Sequence, residues 1–176
     1  MSATAMTVVH KYLRRELFDL SEQLFRAGPA EVEAIRAAFD KLAMLLQTHA
    51  SQEDARLAPL LRKADAALAE RMIEDHRRLD DQFMRVHDGV RILDSASASC
   101  KQDLLRLHLD WNRFVGAYLL HLDEEERTLF PLIADGMPPL AAIAETARAQ
   151  GPAGEEFLLR LWAVTTCEER AAIEQR

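Results

Sequence analysis

Leu13, Leu17, Leu20 and Leu24 recur at intervals of three and four residues, and Ile35, Phe39, Leu42 and Leu46 repeat that spacing in the next stretch. A period near 3.6 held over so many residues suits an amphipathic helix and little else, because a strand would alternate its faces every second residue. Glycine and proline fall at a few places only, while alanine, leucine, glutamate and arginine dominate. The pattern predicts a first helix over about 5–27 ended by Gly28-Pro29, and a second over about 30–57 interrupted by Pro59. A third over about 65–94 carries Met72, Phe83 and Val90 and stops before the loop SASAS; a fourth over about 100–134 carries Leu104, Leu107, Trp111, Phe114 and Tyr118. Four long helices with short connections imply an all-α, up-down-up-down four-helix bundle over 1–136. The rest, 137–176, predicts short helices packed on the bundle, with Thr166 and Glu169 forming a capping box.

At 176 residues the chain is long enough to bury a core without staples. The net charge of -7 and the absence of a basic stripe argue against nucleic acid as a partner. Cys100 and Cys167 are too few for a disulfide framework or a thiolate metal site, in keeping with a reducing compartment. No apolar run of membrane-spanning length and no basic-then-apolar leader is visible, so the expectation is a soluble, cytoplasmic protein without a membrane partner.

Each apolar stripe runs into a histidine. His10 precedes Leu13 by three residues; Leu42, Leu46, His49 and Glu53 continue in steps of four, three and four. The third helix reads Met72, His76, Asp80, Phe83, and the fourth reads Phe114, Tyr118, His121, Glu125. Four residues turn a helix about 40° past one revolution, so each pair points into the same interior. The heights also agree. Counted from residue 28, His10 lies 18 residues back and His49 lies 21 ahead, a mismatch of roughly 5 Å. From residue 61, His49 lies 12 back and His76 15 ahead; across SASAS, His76 lies 19 before residue 95 and His121 lies 22 after residue 99. Four histidines and two glutamates therefore share one slab of the bundle.

Buried carboxylates must be paired, bound to a cation or neutralised. With no arginine or lysine at these inward positions, the set predicts two cations, glutamates spanning them and histidines capping each, with Asp80 a further candidate ligand. Nitrogen and oxygen donors without thiolate favour iron, manganese or zinc over copper(I), and carboxylates bridging two ions in a bundle put iron first. His87 shares the His76 face but lies three turns deeper, which assigns it to packing or a local hydrogen bond. His108 is rotated roughly 220° from His121 and belongs at a helix flank or in solvent. Tyr118 reads as core with a possible hydrogen bond to the site, and the run DEEE at 123–126 as a solvated face from which Glu125 turns inward.

These residues resemble the hemerythrin-like family, the HHE cation-binding domain: a histidine early in helix 1, H-x-x-x-E on helix 2, a histidine on helix 3 and H-x-x-x-E on helix 4. His10, His49 with Glu53, His76, and His121 with Glu125 match in that order over about residues 6–134, and the phrases EDARLAPLL and EEERTLFPLI resemble the family's helix exits. The resemblance implies a non-haem diiron centre that meets dioxygen, peroxide or nitric oxide. His10 and His49 would hold one iron, His76 and His121 the other, with Glu53 and Glu125 bridging. Two departures stand out. Oxygen-carrying members have a second histidine where Asp80 stands, which turns the expectation away from reversible oxygen carriage. They also place the last carboxylate five residues after the histidine, which makes Glu126 a rival to Glu125. The implied functions are oxidant binding in sensing, stress response or iron handling, an oxidoreductase with turnover, or a metal-free interaction module.

Overall fold

In the computed structural model, which describes residues 5–174, the chain is helical almost throughout and no strand occurs among the described residues. The elements are α1 (Ala5–Arg26), a 3-10 turn (Pro29–Glu31), α2 (Val32–Arg56), α3 (Ala58–Ala64), α4 (Ala66–Arg91) and α5 (Cys100–Glu124). A π-helical turn (Glu125–Leu129) and a 3-10 segment (Phe130–Gly136) follow, then α6 (Ala141–Arg148), α7 (Pro152–Trp162) and α8 (Cys167–Glu174). The chain divides into two compact units, Glu16–Leu132 and, in the other, the first fifteen residues with Ile133–Arg176.

The larger unit holds the bundle of α2, α4, α5 and the second half of α1. Its helices bury the predicted stripes, among them Ile35, Phe39, Leu42 and Leu46 on α2 and Met72, Phe83 and Val90 on α4. Four aromatic rings lock the middle: Phe39 meets Trp111 at 5.2 Å, and Phe114 meets Phe83 and Trp111 at 5.3 Å each. Such edge-on contacts add to the area buried. The Trp111 indole donates to Ser21 Oγ at 2.8 Å, which in turn donates to the Leu17 carbonyl at 2.9 Å, so the indole N–H enters the core already satisfied.

Two predicted boundaries shift. Pro59 ends α2 as expected, yet the chain turns at once into α3, because a proline at the start of a helix gives up an N–H that has no partner there anyway. Asp65 then caps α4 by accepting from the amides of Ala67 and Leu68 at 2.9 and 3.1 Å. The fourth predicted helix does not run on to 134. The α-helix ends at Glu124 and widens into the π turn, then tightens into the 3-10 segment around Pro131, with Ile133 out of helical geometry at φ -122 and ψ 17. Pro131 has no N–H for the α-helical bond and its ring crowds the preceding turn, which accounts for the change of winding there.

In the smaller unit, Tyr12 stacks edge-on against Phe157 at 5.3 Å, and Lys11 pairs with Glu169. The expected capping box is present: Thr166 N donates to Glu169 at 2.9 Å and Glu169 N donates to Thr166 Oγ1 at 3.1 Å. Burial alone would raise the Glu169 pKa, but the Lys11 ammonium and the Thr166 amide outweigh it and hold the carboxyl below its usual range. Gly154 permits the closest approach, since a Cβ there would lie 1.7 Å from the Ala147 carbonyl oxygen. Gly154→Ala is therefore expected to lower stability by about 1–3 kcal/mol in urea unfolding. Gly116→Ala, on α5 with nothing within 4 Å of the added carbon, is expected to be neutral or to stabilise by up to about 1 kcal/mol.

Candidate metal centre

The cluster in the larger unit is built by three helices at one height. α2 presents His49 and Glu53 one turn apart, α4 presents His76, and α5 presents His121 in its last turn, with Glu125 the first residue of the π turn. Glu53 and Glu125 are fully buried, and His49, His76 and His121 are exposed by 5 to 7%. Glu53, His76, His121 and Glu125 each offer a ligand atom within 4.8 Å of the others, and His49 stands equally close to both glutamates. The Nε2 atoms of His49 and His76 lie 3.2 and 3.3 Å from Glu53, and those of His76 and His121 lie 3.5 and 3.3 Å from Glu125. The His76 and His121 rings meet edge-on at 4.9 Å, and Tyr118 meets His121 at 5.8 Å. His10 lies on the turn of α1 that belongs to the smaller unit, and it is fully buried.

Three imidazoles around two carboxylates form a donor set of nitrogen and oxygen without sulfur, which fits a hard or borderline divalent cation. The Nε2 atoms face the carboxylates at 3.2 to 3.5 Å, at or just beyond the long limit of an ordinary hydrogen bond. The electrostatics point the same way. Burial opposes a charge on His76, but hydrogen bonds and attraction from Glu125 and Glu53 prevail and push its pKa from 6.5 up to about 11. Burial beside the same carboxylates keeps the Tyr118 phenol protonated, its pKa well above the ordinary value.

Of the carboxylates that the sequence singles out, one departs from expectation. Asp80 is not brought into the group: it is exposed on α4, because at that height Leu79 takes the inward place and the extra 40° beyond His76 carries Asp80 to the rim. Between the rivals on α5, Glu125 is the buried one facing His121, while Glu126 is half-buried. The residue that sequence reasoning missed is Asp54, whose Oδ1 lies 2.7 Å from His76 Nδ1. Its signal was adjacency: the residue after Glu53 points about 100° further round α2. His87 sits as expected, bonded to Asp40 at 2.8 Å and stacked on Phe39, and His108 lies at a helix flank beside Asn112 and Phe25.

A helical bundle whose buried interior gathers imidazoles and carboxylates is the architecture of a cation-binding bundle protein. The sequence matches the hemerythrin HHE cation-binding domain over residues 1–133, and the chain belongs to that family. No curated protein and no solved structure matches it.

His49→Ala and Glu125→Ala are expected to weaken zinc binding by more than about 100-fold, beyond the loss typical of outer partners. His108→Ala is expected to leave it unchanged; competition with a chromogenic chelator checks all three. For the metal-free protein the sign of the His76 shift fixes a second outcome. Its folded pKa exceeds the unfolded value, so its stabilising charge is fully present below about 6.5 and is lost as pH rises through about 11. The stability advantage of the metal-free wild type over His76→Gln is expected to shrink between pH 7 and 11 in urea titrations.

Proposed function

We propose that this protein is a non-haem diiron protein that binds or reacts with a small oxidant, such as dioxygen, peroxide or nitric oxide, in sensing, stress response or iron handling. His49, Glu53, His76, His121 and Glu125 would hold the ions; His10 takes its candidate role from the sequence pattern of the family. The observation that carries this reading is the buried convergence of Glu53, His76, His121 and Glu125, with ligand atoms within 4.8 Å of one another. Buried carboxylates at such spacing are tolerable when cations lie between them.

An iron pair supplies one-electron steps at each ion and coordination positions for a small molecule. The chain's own residues shape what reaches it. Beside His121 and Glu125, a void of about 10 Å³ is lined by Leu68, Met72 and Leu129 and bordered by Arg71 and Glu124, which pair at 2.9 Å. A space of that size admits about one water-sized molecule, which supports a di- or triatomic partner over an organic substrate at this approach. Glu53 and Glu125, both fully buried, are the carboxylates that would offset the charge of two cations. A cation bound by His76 would require that ring's ligating nitrogen to be deprotonated, so cation uptake would release protons. Tyr118 stays a neutral phenol beside His121 and closes the apolar side of the cluster with Phe114, 5.6 Å away.

Anaerobic loading with ferrous iron, followed by elemental analysis and an optical spectrum on exposure to air, tests the proposal. Two irons per chain and a ligand-to-iron band in the near ultraviolet are expected. An iron content near zero after reconstitution would overturn it.

A further inference from the structure

The ligand pattern leaves Asp54 without a role, yet it is positioned against the site as closely as any ligand. Glu53 and Asp54 are neighbours on α2, so their side chains diverge by about 100° and meet α4 at different depths. Glu53 is fully buried and faces His76 Nε2 at 3.3 Å, while Asp54, with 39% of its side chain exposed, faces Nδ1 of the same ring at 2.7 Å. His76 is thus held at both ends, its outer nitrogen by a carboxylate near solvent and its inner nitrogen toward the buried cluster. Asp54 and His76 also border a groove of about 460 Å³ whose walls include Ser51, Phe83 and Tyr118, which leaves the outer carboxylate accessible to water.

An imidazole that donates one ring N–H to a carboxylate has its tautomer and ring plane fixed, and the other nitrogen keeps its lone pair for a cation. We propose that Asp54 is a positioning residue: by accepting the Nδ1–H of His76 it aims Nε2 at the second ion and raises the basicity of that ligand. The inference rests on the diiron reading and adds to it a helix-borne side chain that touches no metal.

Zinc, a diamagnetic stand-in, provides the test in wild type, Asp54→Ala and Asp54→Asn. Asn keeps an oxygen acceptor at the same reach without the charge; Ala keeps the helix and removes the acceptor. The Ala variant is expected to lose about 10–100-fold in zinc affinity by chelator competition, and the Asn variant distinctly less. In nitrogen-15 NMR of the zinc forms, the His76 Nδ1 proton is expected to be sheltered from exchange in wild type and Asn and broadened by exchange in Ala, with the melting temperatures of the metal-free proteins as a folding control. Zinc affinity of the Ala variant within about twofold of wild type, with a sheltered Nδ1 proton, would overturn the inference alone. Equal losses in both variants would overturn it too, since charge and not the hydrogen bond would then be at work. A wild type that takes up neither zinc nor iron sinks the diiron reading and this inference with it.

Discussion

Glu53 and Glu125 are fully buried in a bundle whose inward residues, apart from the histidines, are almost all apolar. Moving an ionised carboxylate out of water costs several kcal/mol even after relaxation, and two at one height repel each other as well. Nothing in the apolar stripes offsets that cost. The imidazoles do, because each can accept a proton or offer a lone pair to a cation, and the chain places them on three helices so that both carboxylates are approached from more than one side. The rest of the architecture serves this requirement: α2, α4 and α5 must hold their register to within a fraction of a turn, or an imidazole would face hydrocarbon and a carboxylate would face nothing.

Register is enforced a few turns away. The ring cluster of Phe39, Phe83, Trp111 and Phe114 fills the layer next to the site, and ring packing at 5 to 6 Å leaves little freedom for one helix to slide past another. At the other end of the site the winding itself changes, with Glu125 opening a π turn. Such turns recur at functional sites because an extra residue per turn re-aims side chains without breaking the helix. Here Glu125 keeps its α-helical spacing from His121, and the wide turn that begins at it carries Leu129 and Phe130 inward ahead of Pro131.

The two approaches to the cluster differ in kind. On the α4–α5 side, a space for about one water leads to Glu125; on the α2–α4 side, a wider groove reaches the outer face of His76, where Asp54 stands. The narrow side has space for only a very small molecule, and the broad side opens Asp54 to water. No helix among the described residues is long and apolar enough to cross a membrane.

The linear pattern alone determined the helices and most of the candidate ligands, because a 3.6-residue period and counting from loops are both local operations on a rigid rod: they put His49, Glu53, His76, His121 and Glu125 on inward faces at one level. Helix ends were less legible. Whether Pro59 and Pro131 terminate, restart or rewind a helix depends on which neighbouring backbone groups find partners, and so α3 and the π turn emerged only in three dimensions. Asp80 and Asp54 mark the boundary most clearly. An in-line spacing of four suggested Asp80, but 40° of drift and the packing of Leu79 carried it outward. Asp54 had no spacing to recommend it and became a partner of His76 only because α2 and α4 lie side by side, a relation between distant segments that tertiary packing alone decides.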